Sequence, residues 1–194
     1  MALPDVMVDT ETLATTADAV IVSIGAVKFD VSTDEIGDEG FYALVEIEHQ
    51  ARERRISQQT LQWWMGKDME AARSVFDKSH EREHLGDVLE SFRDWFWDHE
   101  TAYLRQATIQ KNRRIWSNGA NFDEPILSHA FTQHGMDIPW SFWNVKCFRT
   151  WKDLPGAGLV VKAVQREGTH HNALDDALHQ ARQAQAVHKK LFRK

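Results

Sequence analysis

Two carboxylates, one residue apart, are the first place in this chain where chemistry could be done. In Val6-Met7-Val8-Asp9-Thr10-Glu11-Thr12 an apolar run typical of a buried strand ends in Asp9 and Glu11. Side chains alternate across a strand, so both carboxylates point to one side. Held side by side they repel each other unless a cation lies between them, and hard oxygen ligands of this kind suit Mg²⁺ or Mn²⁺. A strand running into a polar turn would show the same residues. Further polar groups stand at other element ends. Asp123 follows Asn118-Gly119-Ala120-Asn121-Phe122, and Asp176 lies one turn into the last helix with His171 five residues before it. A helix-start Asp is ordinarily a cap, and a lone His before a helix is ordinarily solvated. Asp176 differs from both because it interrupts an apolar stripe, where an unpaired carboxylate is costly.

The elements that must position these groups alternate in type along the chain. After the first strand, Ala19 to Phe29 is a long β-type run, and Phe41 to Ile47 a third strand beyond the acidic turn of Asp30 to Gly40. Turns between them predict an antiparallel meander. Ser57 or Thr60 can cap a helix carrying Leu61, Trp64 and Met65, and Leu85, Val88, Leu89, Phe92, Trp95 and Phe96 mark a longer amphipathic one. Ile115 to Asn118 is a short strand, residues 122–134 a helix with Pro125 in its first turn, and Phe142 to Phe148 a fifth strand. Leu159 to Val164 suits a strand or a helical turn. From Ala173 to Leu191 a single apolar stripe predicts the last helix, capped by Asn172. Together these predict a single domain over residues 1–194, an α/β fold with a mixed five-stranded sheet and helices on both faces. In such sheets ligands collect at the carboxyl ends of the strands.

Composition narrows the setting. Apolar content of 42% and charged content of 27% are ordinary for a globular protein. No apolar run approaches the roughly 20 residues that span a bilayer, so no membrane partner is expected. Met1-Ala2-Leu3-Pro4-Asp5 shows no signal-peptide pattern, and the only cysteine, Cys147, excludes an internal disulfide; a cytoplasmic location is the expectation. A net charge of −6 speaks weakly against coating nucleic acid by bulk electrostatics, but does not exclude an enzyme that meets a phosphodiester through metal ions, since acidic ligands are then required. Basic runs at residues 52–55, 111–114 and 188–194 are expected to be solvated surface. His80 and His84 lie one turn apart but lack a third ligand in the sequence, and are expected at the surface too.

Four carboxylates and one histidine in this order resemble the DEDDh family of 3′→5′ exonucleases, within the ribonuclease H-like group. The matching motifs are Asp9-Thr10-Glu11-Thr12, Asn121-Phe122-Asp123 and His171-Asn172-Ala173-Leu174-Asp175-Asp176-Ala177, and the resemblance runs from residue 6 to about 185. Thr60-Leu61-Gln62-Trp63-Trp64, Ser117-Asn118-Gly119 and Phe148-Arg149-Thr150 look like the branch holding phage exonuclease A-type and mycobacterial exoribonuclease-type proteins. His170 stands before Asp175 as His171 stands before Asp176. The family pattern wants Ala two after the His and Ala directly after the Asp, which Ala173 and Ala177 satisfy only for His171 and Asp176.

The resemblance implies a metal-dependent exonuclease that releases nucleoside 5′-monophosphates from the 3′ ends of single-stranded DNA or RNA. Two Mg²⁺ or Mn²⁺ ions, roughly 3.5–4 Å apart in such enzymes, would clamp the scissile phosphate. Asp9 would bridge them, Glu11 and Asp176 would complete one site, Asp123 would reach the other, and His171 would act as general base. Thr12 and Leu13 would meet the terminal nucleotide. Trp63 or Trp64 would stack its base; helical phase gives Trp64 to the core and leaves Trp63 nearer the surface. Asn118 and Asn121 would orient the nucleotide or a water. A homodimer, as in several relatives, is compatible with the exposed aromatics. Two alternatives remain at this point: a phosphatase using Asp9 as nucleophile, and an inactive nucleic-acid-binding module on the same fold.

Overall fold

The computed structural model describes residues 3–67, 69–77 and 79–192. Among them, five strands make one mixed sheet: β1 (Asp5–Thr12), β2 (Ile21–Phe29), β3 (Phe41–Leu44), β4 (Arg114–Ser117) and β5 (Val145–Cys147). Their order is β3-β2-β1-β4-β5. β1, β2 and β3 pair antiparallel as the meander the sequence predicts, while β4 and β5 join parallel to β1 and to each other. Two strands are shorter than expected. β3 stops at Leu44 because Ile47–Gln50 turns into helix α1, and a 3-10 turn at Phe142–Asn144 takes the first half of the expected β5.

The other helices are α2 (Gln58–Met65), α3 (Met69–Phe76), α4 (Leu85–Phe96), α5 (Tyr103–Asn112), α6 (Asp123–Gln133), α7 (Phe148–Lys152), α8 (Ala157–Ala163) and α9 (Ala173–Phe192). They cover both faces of the sheet. Val6 and Val8 pack with α4 and α6 residues, including Phe92, Phe96, Leu127 and Phe131. Met7, Val27 and Phe29 pack on the other face against Phe148 and the small residues Ala177, Ala181 and Ala184 of α9. Alternation along β1 therefore turns Met7, Asp9 and Glu11 toward α9. The helix starts as predicted, with Asn172 Oδ1 accepting from the backbone N–H groups of Leu174 and Asp175 at 3.1 and 3.2 Å.

Several expectations change in the fold. Ser57 caps α2, but Leu61 and Met65 are exposed and only Trp64 is buried. The basic runs are not wholly solvated. Arg54 is buried and donates to the Ala19 carbonyl at 2.8 Å; Arg113 is buried and pairs with Asp98 at 2.6 Å. Arg114 neutralises buried Asp5. Of the terminal run, Arg193 and Lys194 lie outside the described residues. His80 and His84 are exposed as expected, and His84 also caps α4 and meets the rings of His49 and His134. Among the described residues no helix is long and apolar enough to cross a membrane.

Candidate active site

Asp9, Glu11, Asp123, His171 and Asp176 all line one cavity of about 270 Å³, together with Thr10, Asn118, Phe122 and Gln180. Four separate elements deliver them. β1 contributes Asp9 and Glu11, α6 begins with Asp123, the turn before α9 carries His171, and α9 itself carries Asp176. The carboxyl end of β1 is thus where the helix starts converge, as expected for this class of sheet.

One close approach makes the convergence possible. Gly25 on β2 lies opposite Asp9 in the ladder. A Cβ there would stand 2.1 Å from the backbone of Ala173 and Leu174. Only a residue without a side chain lets the first turn of α9 rest on the sheet and set Asp176 beside the β1 carboxylates.

Each acidic group has its own surroundings. Asp123 is buried and is not a cap: its Oδ1 accepts from the Thr10 backbone N–H at 3.0 Å and the Thr10 hydroxyl at 2.8 Å. Burial pushes its carboxyl up to about 7 despite those bonds. Burial likewise raises Glu11, against the opposing pull of His171, whose Nδ1 lies 3.7 Å from Glu11 Oε1. Asp9 is raised well above the usual carboxylate range, first by desolvation and then by the charges of Asp123, Glu11 and Asp176. Its Oδ1 accepts one hydrogen bond, from Gln180 Nε2 at 2.8 Å. Asp176 is held by the Arg166 guanidinium on Oδ1 and the His171 backbone N–H on Oδ2 at 2.9 Å.

Asp5 provides the contrast within the same strand. It is buried too, but Arg114 grips it at 2.5 and 2.6 Å and Trp116 donates to it at 2.7 Å. Among the described residues no Lys or Arg pairs with Asp9, Glu11 or Asp123. A structural carboxylate such as Asp5 is neutralised in place by a paired arginine, whereas among the described residues these three crowd together with no such partner, Glu11 having only His171 at 3.7 Å and the more distant charge of Lys67. Ligand atoms of Glu11, His171 and Asp176 also lie within 4.8 Å of one another. Carboxylate oxygens crowded in this way fit a hard divalent cation, with the His171 imidazole beside them.

His171 adopts a left-handed backbone, φ 64°, which costs a non-glycine residue roughly 1–2 kcal/mol. Its N–H bond to Asp176 and the edge-on rings of Trp63 and Trp64, at 5.0 and 5.9 Å, hold it there. His170 is exposed, and Asp175 accepts from the Thr169 N–H at 2.8 Å outside the cavity.

A second cavity of about 440 Å³ adjoins the first through Thr10, Glu11 and Phe122, and is walled by Thr12, Thr15, Ser57, Thr60 and Trp63. Trp63 is 44% exposed, whereas Trp64 is buried and donates to the Thr12 carbonyl at 3.0 Å. Asn118 lines the acidic cavity, its Oδ1 unpartnered among the described residues. Leu13 is not in the pocket wall: its side chain packs in a small core with Val20, Val22 and Trp64. Asn121 is exposed and lines neither cavity. Sequence reasoning passed over Gly25, Gln180 and Arg166, and gave Phe122 no role beyond its place in the Asn121-Phe122-Asp123 motif. The one available signal was Gln180, a polar residue four after Asp176 and so on the same side of the helix.

A pH dependence follows from the raised carboxyls. Between an ordinary value near 4 and about 7, the folded chain binds more protons at Asp123 than the unfolded chain. Stability from this group is therefore fully present below about pH 4 and lost as pH rises toward about 7. In EDTA, the melting temperature of Asp123→Asn minus that of the unaltered protein should grow across this window. A difference that is flat with pH would contradict the burial described.

A family profile described as a 3′-5′ exoribonuclease Rv2179c-like domain matches residues 4–188. Comparison with curated proteins finds no match. Among solved structures, the zinc-bound E. coli exonuclease I–ssDNA complex aligns with a TM-score of 0.65 at 15% identity, over 97% of this chain and 41% of the other. The chain thus spans about two fifths of that protein. The nuclease domain of 3′hExo, a DEDDh family member bound to rAMP, aligns at TM-score 0.59 and 16% identity over 96% and 90% of the two chains. Exonuclease X with 5′-overhanging duplex DNA aligns at 0.55 and 19% over 96% and 92%. These likenesses show the ribonuclease H-like exonuclease fold.

Proposed function

Because the chain belongs to the family of Rv2179c-like 3′-5′ exoribonuclease domains, we propose that it is a divalent-metal-dependent nuclease that removes nucleoside 5′-monophosphates from single-stranded 3′ ends. One observation carries this: Asp9, Glu11 and Asp123 crowd together with no lysine or arginine paired to them among the described residues, beside a pocket large enough for a nucleotide. The family description favours RNA, while the structural neighbours are complexes with single-stranded DNA, with 5′-overhanging duplex DNA and with rAMP, so the test includes both sugars. With this family the phosphatase alternative falls away.

Asp9, Glu11, Asp176 and Asp123 would hold Mg²⁺ or Mn²⁺, and the chemistry supplied by such ions is neutralisation of the phosphate and acidification of a bound water. The residues of the chain do the rest. His171 takes the proton of the attacking water on its imidazole, worth about 10²–10⁴-fold, and Glu11 at 3.7 Å supports the imidazolium that forms. Trp63 and Phe122 flank the terminal base, while Thr12 and Thr60 offer polar contacts to its sugar. Trp64, tied to the Thr12 carbonyl, keeps that wall rigid.

The test uses 5′-labelled single-stranded RNA and DNA with Mn²⁺ or EDTA, comparing the protein with Asp176→Asn. The expected result is a ladder shortened from the 3′ end, lost in EDTA and reduced about 10³-fold or more in the variant. Binding without shortening in Mn²⁺ would overturn the proposal in favour of an inactive module.

A further inference from the structure

We propose that Gln180 is a positioning residue: its amide N–H fixes the Asp9 carboxylate, and its carbonyl oxygen adds a neutral donor to the metal-binding set. The inference rests on the functional reading above. It begins from a difference between two aspartates on one strand. Asp5 is met by a guanidinium, which both orients and neutralises it. Asp9 is met by an amide at 2.8 Å, which orients without neutralising. A carboxylate can swivel about its last torsion. A single N–H on Oδ1 stops that rotation and leaves the second oxygen free, with the charge still available to a cation. Lys or Arg at the same place would neutralise Asp9, as Arg114 neutralises Asp5.

The other end of the amide supports the same assignment. Gln180 is only 7% exposed, and its Oε1 is buried with no hydrogen-bond partner among the described residues. An unsatisfied buried carbonyl costs about 1–3 kcal/mol. Turning the amide over would not relieve it, because Oε1 would then face the Asp9 oxygen, acceptor against acceptor. The side chain lines the acidic cavity, so a cation or the water on it is the partner that completes the carbonyl. Hard cations accept neutral amide oxygens readily. The helix explains the placement: Gln180 follows Asp176 by four residues, so both project from one side of α9 toward β1.

The experiment measures Mn²⁺ binding calorimetrically to the metal-free full chain, with no nucleic acid present. Gln180→Leu and the shorter Gln180→Asn should each bind Mn²⁺ about 10–100-fold more weakly, the usual effect of removing a group that orients a ligand. Gln185→Leu is the control. It deletes another buried α9 amide, which donates to the Asp30 and Glu35 carbonyls at 3.1 and 2.8 Å, and should leave Mn²⁺ affinity unchanged. Unaltered affinity in Gln180→Leu overturns the inference, as does an equal loss in Gln185→Leu. If the Leu variant does not fold, Gln180→Asn decides in the same way. Failure of the unaltered chain to bind Mn²⁺ would overturn the metal-site reading itself, and this inference with it.

Discussion

Asp9→Asn is expected to make the metal-free protein more stable and nearly inactive at once. Asn keeps the bond from Gln180 Nε2, because its own Oδ1 can accept it, so the shape of the site survives. What disappears is a charge that burial and three neighbouring carboxylates disfavour. Relieving it should raise stability in EDTA by about 1–3 kcal/mol, which for a chain of this length is roughly 2–4 °C of melting temperature per kcal/mol. Activity should fall about 10³-fold or more, since stabilisation of transition-state charge by a bound cation is worth several kcal/mol and each ~1.4 kcal/mol is tenfold.

The two signs together separate a metal ligand from a structural aspartate. If Asp9 served the fold as Asp5 does, its loss would leave donors unpaired and lower the melting temperature. Scanning calorimetry with and without Mn²⁺ reads the distinction directly. The unaltered protein gains about 2.7 kcal/mol at a cation concentration a hundredfold above its dissociation constant, and Asp9→Asn should gain far less. A variant that melts lower than the unaltered protein in EDTA, or gains as much from Mn²⁺, would contradict the role assigned to Asp9.

What could be seen in the sequence was whatever depends on local period. The apolar run ending in two carboxylates made Asp9 and Glu11 neighbours on one face, because strand alternation needs no tertiary knowledge. Asp176 stood out by interrupting the α9 stripe. The amphipathic pattern located α4 to the residue, while α5 carries no buried residue and left no pattern to detect. Phase alone misled for Met65 and Leu61. Helix α2 touches the core through Trp64, and its neighbours on the same face stay in solvent. Leu13 followed the motif but turned inward at the end of β1, where the ladder shifts register between Glu11 and Thr12. Arg166 acts through Asp176, 10 residues away, and nothing in its immediate surroundings announces the contact; Gln180 meets Asp9, 171 residues away, and its place four after Asp176 gives its side of the helix but not its partner.

Gly25 is the extreme case of that kind, and its substitution is expected to have the largest structural effect in the chain. In sequence it is one glycine in a β-type run, where it reads as a mild weakness of the strand. In the fold the missing side chain is the surface on which α9 begins. A methyl group would stand 2.1 Å from backbone atoms of Ala173 and Leu174, and backbone cannot rotate aside as a flexible side chain would. Overpacking a core typically costs about 1–3 kcal/mol. With rigid backbone on the receiving side, Gly25→Ala should reach or pass the top of that range, lowering the melting temperature by about 6–12 °C. The functional consequence follows from geometry more than from stability. To make room, the first turn of α9 must lift off the sheet, carrying Asp176 and the anchor of His171 away from Asp9 and Glu11. Mn²⁺ affinity and exonuclease activity should therefore both collapse at temperatures where circular dichroism still shows the variant folded. Gly37→Ala is a suitable comparison, because a Cβ there meets its nearest neighbour, the Leu3 side chain, at 3.3 Å. Folded Gly25→Ala that binds Mn²⁺ as the unaltered protein does would mean that α9 does not owe its position to this contact.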